Sequence, residues 1–163
     1  MNRAQATVAG LDEAALTARA RGLAPMLGEG GVIHLRGELG AGKTTFARAL
    51  LQALGVGGRV KSPTYSLVER YPLGAREVVH LDLYRIREAA ELEFLGLDDL
   101  AGREVLWLVE WPERGAAALP PADLAISLDH APRGRVATLR AISPAARALW
   151  PILNKIEVAG DSV

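Results

Sequence analysis

The segment Gly37-Glu-Leu-Gly-Ala-Gly-Lys-Thr44 matches the pattern G-x-x-x-x-G-K-[ST] of phosphate-binding loops. A short apolar stretch, Val32-Ile-His-Leu-Arg36, comes directly before it and is typical of a buried strand. The residues after it place apolar side chains on one helical face, at Phe46, Leu50, Leu51 and Leu54. Glycines let backbone N–H groups surround phosphate oxygens, and the following helix adds the positive end of its dipole. This order predicts a nucleotide-binding α/β fold; the alternative is a glycine-rich turn that only starts a helix.

The loop residues divide into phosphate binders and one metal ligand. Lys43 is long enough to reach the β and γ phosphates, and the hydroxyl of Thr44 is placed to bind Mg²⁺. The predicted nucleotide-binding residues of the loop are Gly37, Glu38, Leu39, Gly40, Ala41, Gly42, Lys43, Thr44 and Thr45.

The composition restricts the class of protein. A chain of 163 residues, 50% hydrophobic and 23% charged, has room for one domain with its own core and is not of disordered composition. The net charge is zero, so no overall positive field gathers nucleic acid. The absence of cysteine excludes disulfides and thiolate zinc sites. Because no long apolar stretch occurs and acidic residues lie near the start, we expect a cytoplasmic protein.

The rest of the chain alternates between predicted helices and strands. The predicted helices run from Asp12 to about Leu27, from the loop to about Leu54, from Glu88 to Gly96, and from Pro144 through Leu149, Ile152 and Leu153, with a kink or break at Pro151. The further predicted strands lie near Tyr65–Tyr71, Glu77–Leu83 and Val105–Val109, with a hairpin of Leu124–Asp129 and Val136–Ile142. We expect residues 1–163 to form one three-layer P-loop NTPase domain with a mixed, mostly parallel sheet, the role of residues 144–163 being open.

Two of the apolar strands end in an acidic residue. Val78-Val-His-Leu runs into Asp82, and Val105-Leu-Trp-Leu-Val runs into Glu110. In a fold of this kind the nucleotide lies at the carboxyl ends of the strands, where a carboxylate can hold Mg²⁺ or orient the attacking water. The alternative is that each acid only marks where a strand reaches solvent. Two such acids favour function, but the sequence does not assign the metal to either one.

Weaker signals come from a loop and from the histidines. Lys61-Ser-Pro-Thr-Tyr-Ser66 follows the phosphate-loop helix, and Thr64 can be a residue that closes over Mg²⁺ and the γ phosphate. An ordinary turn that enters a strand is an equally good interpretation. His80, two residues before Asp82, could form a metal pair with it, but a histidine in an apolar strand is expected to be a hydrogen-bonded core residue. His34 lies inside the first strand, and His130 is expected to lie in a solvated turn.

Five motifs follow one another along the chain. They are Gly-Glu-Leu-Gly-Ala-Gly-Lys-Thr-Thr-Phe (37–46), Val-Lys-Ser-Pro-Thr-Tyr-Ser-Leu-Val-Glu (60–69), His-Leu-Asp-Leu-Tyr-Arg (80–85), Glu-Leu-Glu-Phe-Leu-Gly (91–96) and Val-Glu-Trp-Pro (109–112). In this order and spacing they resemble the motifs of the TsaE family, also called YjeE, and the resemblance covers about residues 10–143.

The resemblance implies a small ATPase that works with partners in the cytoplasm. In the family, a TsaB–TsaD pair forms N6-threonylcarbamoyladenosine at position 37 of tRNAs that read codons starting with A. TsaE binds that pair, hydrolyses ATP slowly when alone, and resets the complex between turnovers. Because this chain has no net charge, we expect it to meet tRNA only through the complex, and we expect no membrane or DNA partner.

The resemblance also implies roles for single residues. ATP phosphates would lie on Gly40–Thr45, and Mg²⁺ would lie on Thr44 and Glu110. Asp82 would be the functional carboxylate of the motif at 80–85, and Thr64 the switch-like threonine.

Further roles are implied with looser motif matches. Trp111 would be needed for activity, although packing at a strand end also explains a tryptophan there. Leu11 and Glu13 would lie against the adenine. Arg135, in the turn Arg133-Gly-Arg135, would lie near the nucleotide, although a surface arginine is the more usual interpretation.

Two other functions fit a phosphate loop. A small-molecule kinase would need an acceptor pocket and a mobile lid with paired arginines, and the only arginine-rich stretch, 133–140, has the alternation of a strand. A nucleotide-binding scaffold without turnover would not need acids at two strand ends.

Overall fold

The computed structural model describes residues 4–27, 30–58, 60–100 and 104–151. The strands are β1 (Gln5–Leu11), β2 (Gly31–Arg36), β3 (Val68–Leu73), β4 (Arg76–Asp82), β5 (Val105–Glu110), β6 (Leu124–His130) and β7 (Arg135–Ala141). The α-helices are α1 (Glu13–Leu23), α2 (Lys43–Ala53) and α3 (Pro144–Ala148), and short 3₁₀ turns cover Ala24–Met26, Ala89–Leu95, Asp98–Leu100, Pro112–Arg114 and Ala116–Ala118.

The strands form one mixed sheet in the order β1-β7-β6-β2-β5-β4-β3. The four central strands, β6, β2, β5 and β4, pair in parallel. At one edge of the sheet β3 pairs antiparallel with β4. At the other edge β7 pairs antiparallel with both β6 and β1. This arrangement confirms the predicted mixed α/β fold. It also brings the carboxyl ends of β2, β4 and β5 together at the end of the sheet that lies next to the phosphate loop.

Two hydrophobic cores lie on the two faces of the sheet. The helix-side core packs α1 and α2 against the sheet, with Leu16, Leu23, Phe46 and Leu50 almost fully buried. The far-side core is covered by the 3₁₀ turns rather than by long helices, through Leu92, Leu100 and Leu119. Strand residues alternate between these cores, because successive side chains of a strand point to opposite faces.

Several elements differ from the sequence-based prediction. β1 was not predicted, because its side chains are largely exposed and give little apolar signal; its pairing with β7 also shifts register between Val8 and Leu11. The strand predicted at Tyr65–Tyr71 begins only at Val68, since residues 63–66 form a turn that ends at Leu67 with a φ of 67°. β3 contains Pro72, a residue that suits an edge strand because it has no N–H to donate.

The helix predicted after the phosphate loop is confirmed as α2, but the other predicted helices are shorter or of another type in the structure. The helix that starts after Asp12 gives way at Leu23 to a 3₁₀ turn that contains Pro25, and Ala89–Leu95 is 3₁₀ rather than α. α3 ends at Ala148, and the predicted continuation through Ile152 and Leu153 lies outside the described residues. In the described part of the chain, no helix has the length and apolar character needed to cross a bilayer.

We predict that Gly134→Ala destabilises the fold more than Gly74→Ala. Both glycines have a left-handed backbone conformation, with φ of +67° at Gly134 and +64° at Gly74. An added Cβ at Gly134 would lie 2.5 Å from the carbonyl oxygen of Leu11, whereas Gly74 has open space. We expect a loss of about 3 kcal/mol in the free energy of unfolding for Gly134→Ala and about 1 kcal/mol for Gly74→Ala, measured by urea denaturation. Equal losses would contradict the close approach of the β6–β7 turn to β1.

Candidate functional site

The phosphate loop joins β2 to α2 and closes around its own lysine. Lys43, the first residue of α2, donates hydrogen bonds from Nζ to the carbonyl oxygens of Gly37 at 2.6 Å and Glu38 at 2.9 Å. Gly37 has a φ of +152°, and a Cβ there would overlap the carbonyl oxygen of Leu128 in β6. Only glycine lets the loop lie this close to the sheet. The loop is therefore preformed around Lys43.

The β6–β7 hairpin holds the tip of the loop from outside. His130 lies 3.1 Å through Nε2 from the carbonyl oxygen of Leu39, so its N–H donates to the loop. Arg135 donates from Nη2 to the carbonyl oxygen of Gly40 at 2.9 Å. The histidine that was expected in a solvated turn thus contacts the phosphate loop, and Arg135 also contacts its backbone.

The two acidic strand ends lie side by side. Asp82 and Glu110 are directly paired residues in the parallel register of β4 and β5. Both are buried, with exposed fractions of 6% and 1%. Val78 and Leu106, four residues before each acid, belong to the helix-side core. Because side chains alternate along a strand, both carboxylates face the side of the sheet where α2 and the loop lie.

Hydrogen bonds connect Glu110 to two other elements. The hydroxyl of Thr44, at the start of α2, donates to Glu110 Oε1 at 3.1 Å. Nε2 of His80, in β4, lies 2.7 Å from Glu110 Oε2. Asp82 accepts at Oδ1 from the backbone N–H of Tyr84 at 3.1 Å.

Burial makes the charged groups of the site unfavourable as they stand. Loss of water raises the pKa of Asp82, and the nearby charge of Glu110 raises it further. Burial also lowers the pKa of Lys43, and the two carboxylates oppose that change only in part. Removing charges from water costs free energy unless partners compensate. A cation beside the carboxylates and an anion beside Lys43 would each provide such compensation.

The donor set at the site fits Mg²⁺. This ion prefers oxygen ligands and usually binds through one or two carboxylates together with phosphate oxygens and water. Thr44, Asp82 and Glu110 present such oxygens beside the phosphate loop. Residues 4–27, 30–58, 60–100 and 104–151 contain no group of three or more His, Cys, Asp or Glu side chains that could hold a metal ion by themselves. A magnesium ion here would therefore need Thr44 and the phosphates of a nucleotide to complete its coordination.

These residues line a common cavity of about 240 Å³. Its walls are formed by the loop, the two strand ends and the segment after α2, through Leu39, Gly40, Gly42, Lys43, Thr44, Thr45, Thr64, Asp82, Tyr84, Glu110 and Trp111. Thr64, for which the sequence left an ordinary turn equally possible, therefore lies at the cavity. A larger hollow of about 650 Å³ lies along β1 and the end of β7 and contains none of these residues.

Trp111 forms one side of the cavity. Its ring centre lies 4.5 Å from Lys43 Nζ and 5.0 Å from the ring centre of Tyr84. Trp111 has a φ of 56°, a left-handed conformation that costs free energy in a residue other than glycine. This strained backbone turns the ring back over the loop lysine.

Some predicted residues do not line the cavity. Leu11 is buried in the helix-side core at the end of β1, where it pairs with Arg135, and Glu13 is exposed in the first turn of α1. Ala41 has its side chain in the helix-side core, so only its backbone is available to a ligand. Gly37 and Glu38 contribute carbonyl oxygens to Lys43.

Two residues near the site were not among the predicted site residues. His80 is the buried, hydrogen-bonded residue that was expected, but the sequence did not indicate that its partner is Glu110. Tyr84, to which the sequence analysis gave no role, lines the cavity. Their position on either side of Asp82 in the motif His-Leu-Asp-Leu-Tyr was the available signal.

Comparisons with known proteins show to which family the chain belongs. Residues 11–137 match the family model described as threonylcarbamoyl adenosine biosynthesis protein TsaE. The chain belongs to the TsaE family. The matching segment contains the loop, both acidic strand ends and the β6–β7 turn, so it covers the residues brought together above.

Individual family members show the extent of the similarity. The chain is 46% identical over 99 residues to the tRNA threonylcarbamoyladenosine biosynthesis protein TsaE of Haemophilus influenzae, covering 61% of this chain and 63% of that protein. It is 38% identical over 102 residues to the Bacillus subtilis protein of the same name, covering 63% of each. The matches thus span a little under two thirds of these relatives. The crystal structure of Bacillus subtilis YdiB has a TM-score of 0.75 at 29% identity, covering 93% of this chain and 95% of that one.

We predict that the carboxyl of Asp82 makes the fold less stable as the pH rises. Because burial raises its folded-state pKa above the ordinary value of 3.8, the folded state binds this proton more tightly than the unfolded state does. The stability contributed by the protonated form is lost as the pH rises through the folded-state pKa. Relative to Asp82→Asn, the wild-type melting temperature in magnesium-free buffer should fall over this range.

The exposed Asp98→Asn variant is the control for the loss of one carboxyl group. A melting-temperature difference between wild type and Asp82→Asn that does not change with pH would contradict the effect of burial on Asp82.

Proposed function

We propose that this protein is a Mg²⁺-dependent ATPase that acts with a TsaB–TsaD complex in the formation of N6-threonylcarbamoyladenosine at position 37 of tRNA. One observation carries the proposal: a preformed phosphate loop shares a cavity with two buried carboxylates. The names of the Haemophilus influenzae and Bacillus subtilis relatives support the assignment to tRNA modification. We take the whole chain, residues 1–163, to be a single domain of this kind.

The loop would bind the triphosphate without large rearrangement. Backbone N–H groups of Gly40–Thr45 and the start of α2 present positive charge to the phosphate oxygens. Lys43 already lies at the cavity, held by two carbonyl oxygens, so its ammonium needs only a small movement to meet the β and γ phosphates. Phosphate charge would also offset the burial that lowers the pKa of Lys43.

Thr44, Glu110 and Asp82 are the residues that would hold Mg²⁺, Asp82 through water. The ion, when bound, neutralises charge on the β and γ phosphate oxygens during phosphoryl transfer. We assign Glu110 to the metal side, because its Oε1 already lies next to the Thr44 hydroxyl.

Asp82 would then orient the attacking water. Its pKa is raised by burial, and a carboxylate with a raised pKa accepts a proton more readily than an ordinary one. Thr64, at the same cavity, would close over the γ phosphate as the switch-like residue. Leu11, Glu13 and Arg135 remain the predicted contacts to the rest of the nucleotide.

Exposed apolar side chains near the cavity suit a protein partner. Leu39 of the loop is 61% exposed, and Tyr65, which follows Thr64, is 83% exposed. Large apolar side chains at a site mouth are typical of surfaces that another protein covers. A partner that excludes water there would strengthen the electrostatic interactions at the phosphates, which fits weak activity alone and stimulation by TsaB–TsaD.

We predict that Lys43→Ala removes most ATP binding and leaves the fold intact. Binding should weaken by about 100-fold or more, because a charge-assisted contact to two phosphates is lost. Isothermal titration with Mg·ATP measures this, and circular dichroism checks the fold. Lys155→Ala, which lies outside the segment that matches the family, is the control. A collapsed spectrum for Lys43→Ala would give Lys43 a structural role instead.

We predict that Glu110→Gln lowers phosphate release from Mg·ATP by about 100-fold, with ATP still bound. Glu104→Gln is the matched control, because Glu104 directly precedes β5 whereas Glu110 ends it. The assay is run with and without TsaB–TsaD, which should accelerate the wild type. Unchanged release in Glu110→Gln would contradict the role of this carboxylate. Phosphate transfer to an added small-molecule acceptor would indicate a kinase instead.

A further inference from the structure

His80 is a buried polar residue to which the proposed function gives no task. It lies in β4 between two fully buried residues, Val79 and Leu81, and is 1% exposed. Its Nε2 lies 2.7 Å from Oε2 of Glu110. A histidine in such a strand is ordinarily expected only to pack in the core. Its contacts decide whether it also acts on a residue of the site.

The register of the sheet explains why His80 meets Glu110. Val78, His80 and Asp82 share one face of β4, because side chains alternate along a strand. His80 pairs with Leu108, and the next residue of β5 on the same face is Glu110. The ring therefore lies one step behind Asp82 and beneath the carboxylate of Glu110, on the side that faces α2.

Both oxygens of Glu110 are occupied by donors from different elements. An ionised carboxylate can only accept, so the Nε2–H of His80 donates to Oε2, while the hydroxyl of Thr44 donates to Oε1. Leaving a carboxylate oxygen buried without a donor costs free energy, which turning toward another donor or taking up a proton would relieve. With both donors present, the plane of the carboxylate is fixed.

The partner of His80, and not its unpaired nitrogen, separates it from the other strand histidine. Nδ1 of His80 is buried and has no hydrogen-bond partner in the described structure, but the same holds for Nε2 of His34. What differs is that the ring of His80 contacts Glu110, an acidic strand end that lines the cavity.

We propose that His80 is a positioning residue for the ATPase reaction, which holds the Glu110 carboxylate so that Oε1 faces Thr44 and the metal side of the cavity. This inference rests on the proposed function. His80 does not touch nucleotide or metal itself; it acts through Glu110, as outer-shell partners of metal-binding carboxylates do.

The hydrogen bond can be tested without any ligand. The chain has three histidines, so the imidazole ¹⁵N signals of His80 are assigned by their loss in His80→Gln. We expect an Nε2–H tautomer in the free protein, and we expect Glu110→Gln to move the His80 signals and leave those of His34 in place. His80 signals that do not respond to Glu110→Gln would overturn the proposal.

Kinetics then test the consequence for the reaction. His80→Leu, which cannot donate, should lower kcat by about 10- to 100-fold with little change in KM for ATP, a loss typical of outer-shell substitutions. His80→Gln, whose amide N–H reaches the same region, should recover most of the rate. In the Glu110→Gln background, His80→Leu should cause no further loss, because its effect passes through Glu110.

The matched control is His34→Leu. His34 lies in the neighbouring strand β2, but Ile33 and Leu35 on either side of it belong to the helix-side core, so it faces the opposite side of the sheet. We expect His34→Leu to keep the wild-type rate.

The outcomes separate this inference from the proposed function. If the wild type releases no phosphate from ATP, the proposed function fails, and the ligand-free spectra still report on the contact with Glu110. If the wild type is active, either an unchanged kcat in His80→Leu or losses that multiply with Glu110→Gln overturn the positioning role. Should His80→Leu fail to fold, the response of the His80 signals to Glu110→Gln decides.

Discussion

The parallel pairing of β4 with β5 is the constraint on which the site depends. It places Asp82 opposite Glu110 where the two strands end. The pairing of β5 with β2 then brings both acids close to the strand that leads into the phosphate loop. The Thr44–Glu110 hydrogen bond then ties the start of α2 to the end of β5. A slip of either strand by one residue would turn that strand's carboxylate toward the far-side core, because side chains alternate along a strand.

The same arrangement concentrates charge where water is scarce. Burial works against the ionised forms of Asp82 and Lys43, and the left-handed backbone at Trp111 adds strain beside them. Such features lower the stability of the free protein and are expected at a site whose ligand supplies the missing charge and contacts. Under the proposed function, Mg·ATP would supply this charge, and the free protein is less stable without it.

The sequence predicted the parts of the site that depend on local pattern. A phosphate loop is specified by a short run of residues between a strand and a helix, and an apolar strand that ends in Asp82 or Glu110 can be recognised without knowing its neighbours. The motif places His80 beside Asp82, but its contact with Glu110 joins residues 30 positions apart through the β4–β5 register, and no local pattern encodes that register. β1 was missed for a related reason: an exposed edge strand obtains its structure from pairing with β7 rather than from apolar periodicity.

The edges of the sheet bear on how this protein can assemble with others. At one edge, the pairing of β1 with β7 is irregular between Val8 and Leu11; at the other, β3 carries Pro72, which offers no N–H to an incoming chain. Both devices discourage the sheet from growing by addition of a foreign strand. Stable complexes of this molecule should accordingly form through its loops and turns, and two copies should not fuse into a continuous sheet.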